Sequence, residues 1–332
     1  TMDEIIEFVQ HIVDSGYGYE KNGNVYFRAG KYDEYGKLSR QPLDELEMGA
    51  RISTSDEKED PLDFVLWKPA KAGEPAWDSP WGKGRPGWHI ECSAMVKKHL
   101  GESIDIHGGG RDLIFPHHEN EIAQSECCGH VHNYVKYWMH NGYINIDNKK
   151  MSKSLGNFFT VREIADKYGY EPIKYMMLQA HYRSPINYNL EIITQCQNAL
   201  ERLHTSRNNL DFALKNAGDT NTAGSAEFLE KLKAREAQFV EAMDDDLNTA
   251  DGIAAIFELA RDCNSYTAEP RPSSDIKAAI ALFDRLCDVM GILYNRESGE
   301  IDKRIQELIE KRQQARADKN WALADEIRDT LK

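Results

Sequence analysis

The stretch SIDIHGGGRDLIFPHHENEIAQSE, residues 103–126, constrains the fold more than any other part of the chain. A strand pattern over Ser103–His107 ends at three consecutive glycines, Gly108 to Gly110. A helical pattern then runs from Pro116 to about Glu126, and a proline suits a first helical turn because its missing N–H has no partner there anyway. Another helical pattern, around Ile90–His99, lies before this unit, and the strand candidate GYINID (142–147) follows it. Strand, glycine loop, helix and strand in this order form half of a doubly wound sheet, whose ligands bind at the carboxyl ends of the strands.

The flanking regions read differently. MDEIIEFVQHIVDS (2–15) places Met2, Ile5, Ile6, Val9, Ile12 and Val13 at helical spacing, with Gly16 as the stop. YGYEKNGNVYFR reads as a hairpin about Asn22-Gly23, a pair that tolerates the positive φ values of a type I′ turn. DFVLWK (63–68) is a further strand candidate, and the proline- and glycine-rich stretch 69–88 suggests a domain boundary. From about residue 190 the pattern is almost wholly helical, with breaks near 217–224, 267–274 and 295–300. The last 32 residues (301–332) read as a charged helical hairpin turning near Asp318–Asn320. The chain is thus expected to be α/β followed by all-α.

At 332 residues two or three domains are expected. No apolar run approaches the roughly 20 residues of a membrane span, and no signal-peptide pattern is visible. Six cysteines (Cys92, Cys127, Cys128, Cys196, Cys263 and Cys287) show no disulfide spacing, so a reduced, cytoplasmic protein with no membrane partner is expected. The net charge of −14 argues against a general nucleic-acid binder, though not against a local basic face.

Several clusters carry possible chemistry. Glycines after a strand let backbone approach a ligand, and Asp112 could accept hydrogen bonds from ribose hydroxyls; a glycine-rich turn with a surface aspartate explains them as well. His117 and Glu121, at i and i+4, leave one helical face and could hold zinc with a third ligand, for which Cys92 in GWHIECSAM is the natural candidate. His118 could replace His117 by spacing, and a buried cysteine beside a polar pair is commonly structural. In NKKMSKSLGN (148–157), Lys150 and Lys153 could reach nucleotide phosphates from a loop. Asp244 to Asp246 look like a cation cluster, but consecutive carboxylates on a helix diverge and Asn248 or Thr249 can cap the next helix. Arg304, Lys311, Arg312, Arg316 and Lys319 fit either a tRNA backbone or a solvated helical face.

GWHIECSAM, DIHGGGRDLIFPHHENEIAQSE and KMSKSLGNFFTVRE together resemble the cysteinyl-tRNA synthetases, a family of class I aminoacyl-tRNA synthetases; HYRSPINY and EAMDDDLNT continue the likeness through the helical half. The resemblance implies that zinc is held by Cys92, His117 and Glu121 and takes the thiolate of substrate cysteine. It places Trp88 and His89 beside the amino acid, His107, Gly109 and Asp112 near the adenylate, and Lys150 and Lys153 on ATP, which comes with Mg2+. It implies a Rossmann-like fold divided into a connective insertion (1–84), the second half of the catalytic fold (85–148), a KMSKS loop with stem-contact segment (149–190) and a helical tRNA-binding domain (191–332). The expected activity is ATP-dependent formation of cysteinyl-adenylate and transfer to tRNA(Cys), by a monomer.

The family's N-terminal half-fold, with its HIGH-type signature and a further zinc cysteine, has no counterpart here, nor does its C-terminal anticodon module. Residues 1–332 are therefore expected to be inactive alone. The alternatives are a mycothiol-pathway cysteine ligase, which joins cysteine to an amino sugar, and a non-catalytic RNA-binding fragment.

Overall fold

The computed structural model describes residues 1–40, 58–127, 131–147, 149–151, 159–218, 221–294, 296, 308, 311, 312, 315 and 320–330. The chain packs as two compact units, Thr1–Tyr143 and Ile144–Lys332.

In the first unit, α1 (Met2–Asp14) buries Ile5, Phe8, Val9 and Ile12, one helical stripe whose members each contribute about 1.5–3 kcal/mol on removal from water. Gly16, at φ 80°, releases the chain into β1 (Gly18–Lys21). Asn22 and Gly23 both have positive φ and turn it into β2 (Asn24–Phe27), as the hairpin reading requires. β3 (Phe64–Pro69) and β4 (Gly84–Pro86) complete an antiparallel sheet in the order β1-β2-β3-β4.

The stretch expected to be a boundary thus carries a sheet strand, and packing divides the chain after Tyr143 instead. α2 (Trp88–Leu100) leaves β4 directly, and its Ile90 and Ala94 share a core with Ile12, Phe27, Leu66 and Trp67. Gly87 makes this junction possible. Its N–H donates to Leu66 O at 2.7 Å, and any Cβ there would overlap the Val65 carbonyl. Gly87→Ala is therefore expected to cost about 1–3 kcal/mol or more, the range for forcing atoms into packed space. Denaturant unfolding would show this as a lower midpoint at unchanged slope.

β5 (Ile104–Gly110) and β6 (Val135–Asn141) pair in parallel, with α3 (Glu119–Glu126) between them in the chain. Three details differ from the sequence reading. The glycines continue the strand, because Gly108 to Gly110 pair with Met139 to Asn141. Regular helix starts at Glu119 rather than Pro116, after the turn Ile114–His118 in which Phe115 is extended. The partner of β5 is β6; residues 142–147 instead supply β7 (Ile144–Ile146) of the second unit.

In that unit β7 pairs antiparallel with β8 (Lys149–Lys150) and parallel with β9 (Ile186–Tyr188). α4 (Val161–Tyr168) begins with a reciprocal cap: Thr160 Oγ1 accepts from Glu163 N, and the Glu163 carboxylate accepts from Thr160 N. α5 (Tyr170–Leu178) follows, then the long helices α6 (Leu190–Lys215), α7 (Ser225–Asp244), α8 (Thr249–Tyr266) and α9 (Ser273–Met290), and finally α10 (Trp321–Thr330). Ile193, Leu203 and Leu210 of α6, Ile256 and Leu259 of α8 and Phe283 of α9 share one core.

Asn248 caps α8 by accepting from Asp251 N. Asp246 accepts from Tyr182 OH at 2.9 Å and pairs with Arg183 at 2.7 Å, so that carboxylate ties a loop down. Lys311 is exposed and Arg312 half-buried. Arg304, Arg316, Lys319 and most of the expected terminal hairpin lie outside the described residues, as does Cys128. Among the described residues no helix is long and apolar enough to cross a membrane.

Candidate metal centre

α2, the turn before α3, and α3 itself bring Cys92, His117 and Glu121 together. One ligand atom from each lies within 4.8 Å of the others, with His117 and Glu121 buried and Cys92 half-buried. Glu121 is 0% exposed. Its Oε1 is 3.0 Å from His117 Nε2 yet has no hydrogen bond, so the contact is close but misaligned. Its Oε2 accepts from Tyr134 OH at 3.2 Å and faces His107 Nε2 at 3.2 Å.

Thiol, imidazole and carboxylate are the donor types zinc takes. A fully buried carboxylate oxygen without a hydrogen bond, aimed at the same spot, fits a cation. His117 Nδ1 lies 2.8 Å from His89 Nδ1. A proton on that nitrogen would leave Nε2 free as a ligand, the usual arrangement for a metal-bound histidine.

The electrostatics agree with this donor set. Burial would raise the Glu121 pKa, but the close approach of His107 and His117 outweighs it and holds the carboxyl down at about 2. Burial foremost, aided by His117, pushes His89 down to about 4, so this ring is neutral. Burial first, then the Glu121 and Glu91 carboxylates, push the Cys92 thiol up to about 11. Without a cation that thiol keeps its proton; binding a divalent ion would displace it.

His118, left open by spacing as an alternative to His117, sits elsewhere. Its Nδ1 is 2.8 Å from His140 Nε2, and the group that contains Cys92 contains His117. His118 does form a second close group with His107 and Glu121, so Glu121 stands between two sets of imidazoles. Trp88 is 56% exposed and stacks on His117, ring centres 4.2 Å apart.

A Cβ at Gly109 would meet Leu113 at 2.8 Å and His118 at 3.0 Å, so this glycine makes room for the protein's own side chains. Asp112 lies exposed in the turn after β5. The Lys150 backbone pairs with Asn145, while Lys153 lies outside the described residues. Sequence reasoning overlooked Tyr134 and His140. Their signal was faint: both sit in an aromatic, β-rich run whose strand partner had been sought further along the chain.

Comparison with known proteins bears on the whole chain. The profile of the tRNA synthetases class I (C) catalytic domain matches residues 1–198, and that of the DALR domain matches residues 238–294. A cysteine–tRNA ligase of Bacillus licheniformis is 53% identical over 333 residues, a match covering 100% of this chain and 71% of that protein. Methionyl-tRNA synthetase of Mycobacterium tuberculosis bound to methionyl-adenylate shares the fold, with a TM-score of 0.56 at 14% identity, over 87% of this chain and 71% of that one. An arginyl-tRNA synthetase structure from Campylobacter jejuni is similar at a TM-score of 0.55 and 12% identity, over 87% and 61% of the respective chains. A catalytic-domain match over more than half the length, joined to such identity across all of it, leaves one assignment: the chain belongs to the cysteine–tRNA ligases, within the class I aminoacyl-tRNA synthetases.

Proposed function

We propose that the chain, joined by the family's N-terminal half-fold, carries out the reaction in its relatives' name, activating L-cysteine with ATP and passing the cysteinyl group to tRNA(Cys), with Cys92, His117 and Glu121 as zinc ligands, and that residues 1–332 alone do not. The observation that carries this reading is the convergence of those three side chains on one buried spot in a chain of this family. When bound, zinc supplies a soft Lewis-acid site that prefers a thiolate to a hydroxyl.

The chain's own residues do the rest. Tyr134 donates to the second oxygen of Glu121 and helps fix its orientation, with His107 3.2 Å from the same oxygen. His89 fixes the His117 ring, and Trp88 forms the exposed wall beside it. Lys150 and Lys153 meet the phosphate charge of ATP, which arrives with Mg2+, while His107, Gly109 and Asp112 border the adenylate. The substrate carboxylate attacks the α-phosphorus and pyrophosphate leaves. A terminal ribose hydroxyl of tRNA then attacks the carbonyl and AMP leaves. No protein nucleophile is needed, so catalysis is positioning and charge stabilisation. The helical part of the second unit, with its DALR match, is the tRNA-facing region in this reading.

Cysteine-dependent ATP–pyrophosphate exchange with the N-terminal half-fold supplied, followed by transfer to tRNA or to an amino-sugar acceptor, tests it. Transfer to tRNA is the expected result. Transfer to the amino sugar alone would assign the chain to mycothiol-type chemistry instead.

A further inference from the structure

We propose that Glu119 is a positioning residue for the metal centre: its carboxylate clamps the Gly36–Ser39 backbone onto α3 and so sets where His117 and Glu121 point. This rests on the zinc reading above. Glu119 is 0% exposed. Its Oε1 accepts from Gly36 N at 2.9 Å, and its Oε2 accepts from Leu38 N at 3.2 Å and Ser39 N at 2.8 Å. Three backbone donors from one short segment satisfy a buried charge that would otherwise be strongly unfavourable.

The neighbouring side chains on α3 repeat the pattern. Asn120 Oδ1 accepts from Tyr35 OH at 2.5 Å, and Glu126 Oε2 accepts from Tyr32 OH at 2.6 Å and also pairs with Lys37. Glu119, Asn120 and Glu126 are thus each bonded to residues 32–39, and Glu126 Oε1 also accepts from Tyr134 N at 2.8 Å. Glu121 turns instead to the site, and Gln124 donates to Ser93.

The clamp matters because Glu119 supplies the three bonds that tie the first turn to the Gly36–Ser39 backbone. α3 has no side-chain N-cap, and the chain enters it through a turn in which Phe115 is extended. Apolar packing alone would let so short a helix rotate or slide. Directional bonds to Glu119, two residues from Glu121 and two from His117, do not. A rotation by one residue, 100°, would carry Glu121 away from Cys92.

The test uses the 332-residue chain loaded with zinc. Glu119→Gln keeps the shape but turns an amide donor toward backbone N–H groups; Tyr35→Phe removes only the Asn120 contact. Ile12→Val, a core change in α1, serves as the control for general destabilisation. The readouts are zinc release to a chelator, the visible spectrum of the cobalt-substituted protein and thermal unfolding.

Glu119→Gln is expected to release zinc about 10-fold faster or more, the scale for losing an outer-shell partner, with altered cobalt bands. Tyr35→Phe should move both in the same direction by less, and Ile12→Val should move neither. If both latch variants match the wild type, or change only as much as Ile12→Val at equal stability, Glu119 is merely structural and the proposal is overturned. A wild-type chain that holds no zinc overturns the zinc reading and this proposal with it. Should Glu119→Gln fail to fold, Tyr35→Phe decides alone.

Discussion

Cys92→Ala is expected to abolish zinc retention and, with it, the preference for cysteine over serine. The thiol sits with His117 and Glu121, each within 4.8 Å, and it is the soft donor of the set. Removing an outer-shell partner of a metal ligand costs about 10–100-fold in affinity, so losing a ligand itself should exceed that range. The half-buried position of Cys92 means that the methyl group leaves only a small void, and the fold should survive. Metal analysis of the purified variant, with pyrophosphate exchange driven by cysteine and by serine once the N-terminal half-fold is supplied, measures both effects. Wild-type zinc content in the variant would remove Cys92 from the site.

Lys153→Ala should slow adenylate formation while leaving cysteine binding nearly intact. The charge that this lysine would meet is on ATP and grows as pyrophosphate departs, so its effect belongs to the transition state. Removing one preorganised donor of this kind costs about 100- to 1,000-fold, or ~2.7–4 kcal/mol. Single-turnover activation at saturating ATP and cysteine, with the N-terminal half-fold supplied, isolates the step. Lys150→Ala is the companion variant, since the two lysines flank Met151-Ser152 in the same motif. A single-turnover rate equal to that of the wild type would exclude Lys153 from the reaction.

Much of the architecture was legible because periodicity and turn chemistry are local. The α1 stripe, the Asn22-Gly23 turn, the cap at Asn248 and the breaks between the long helices each depend on a few adjacent residues. Strand pairing depends on residues far apart, and there the reading failed. Residues 142–147 were read as the next strand and Val135–Asn141 went unread, although Val135, Tyr137 and Trp138 favour a strand; the pairing with β5 is fixed by packing. The proline- and glycine-rich stretch misled for a similar reason, since composition marks irregular backbone but not whether that backbone is built into a sheet. At the metal centre, helical spacing paired His117 with Glu121. It could not choose between His117 and His118; in space His117 groups with Cys92 and Glu121, while His118 lies 2.8 Å from His140 and groups with His107 and Glu121. Glu119 and Tyr134 were invisible because their partners, at 36–39 and at 121, share no local pattern with them.

Helix α3 is eight residues long, and Glu119, Asn120, Glu121, Gln124 and Glu126 are all buried in it. An isolated helix of that length is unstable in water, where about 12–15 residues are marginal even for good formers. Its existence is therefore a consequence of assembly. Its bonds to residues 32–39, to Ser93 of α2 and to Tyr134 keep it helical. Because it is buried on nearly every side, amides of α3 should open only with the unit around it and exchange through a free-energy gap close to that of α1 and the antiparallel sheet. A ligand held by His117 and Glu121 would therefore draw together stretches of chain that lie far apart in sequence, and its loss would be felt in all of them.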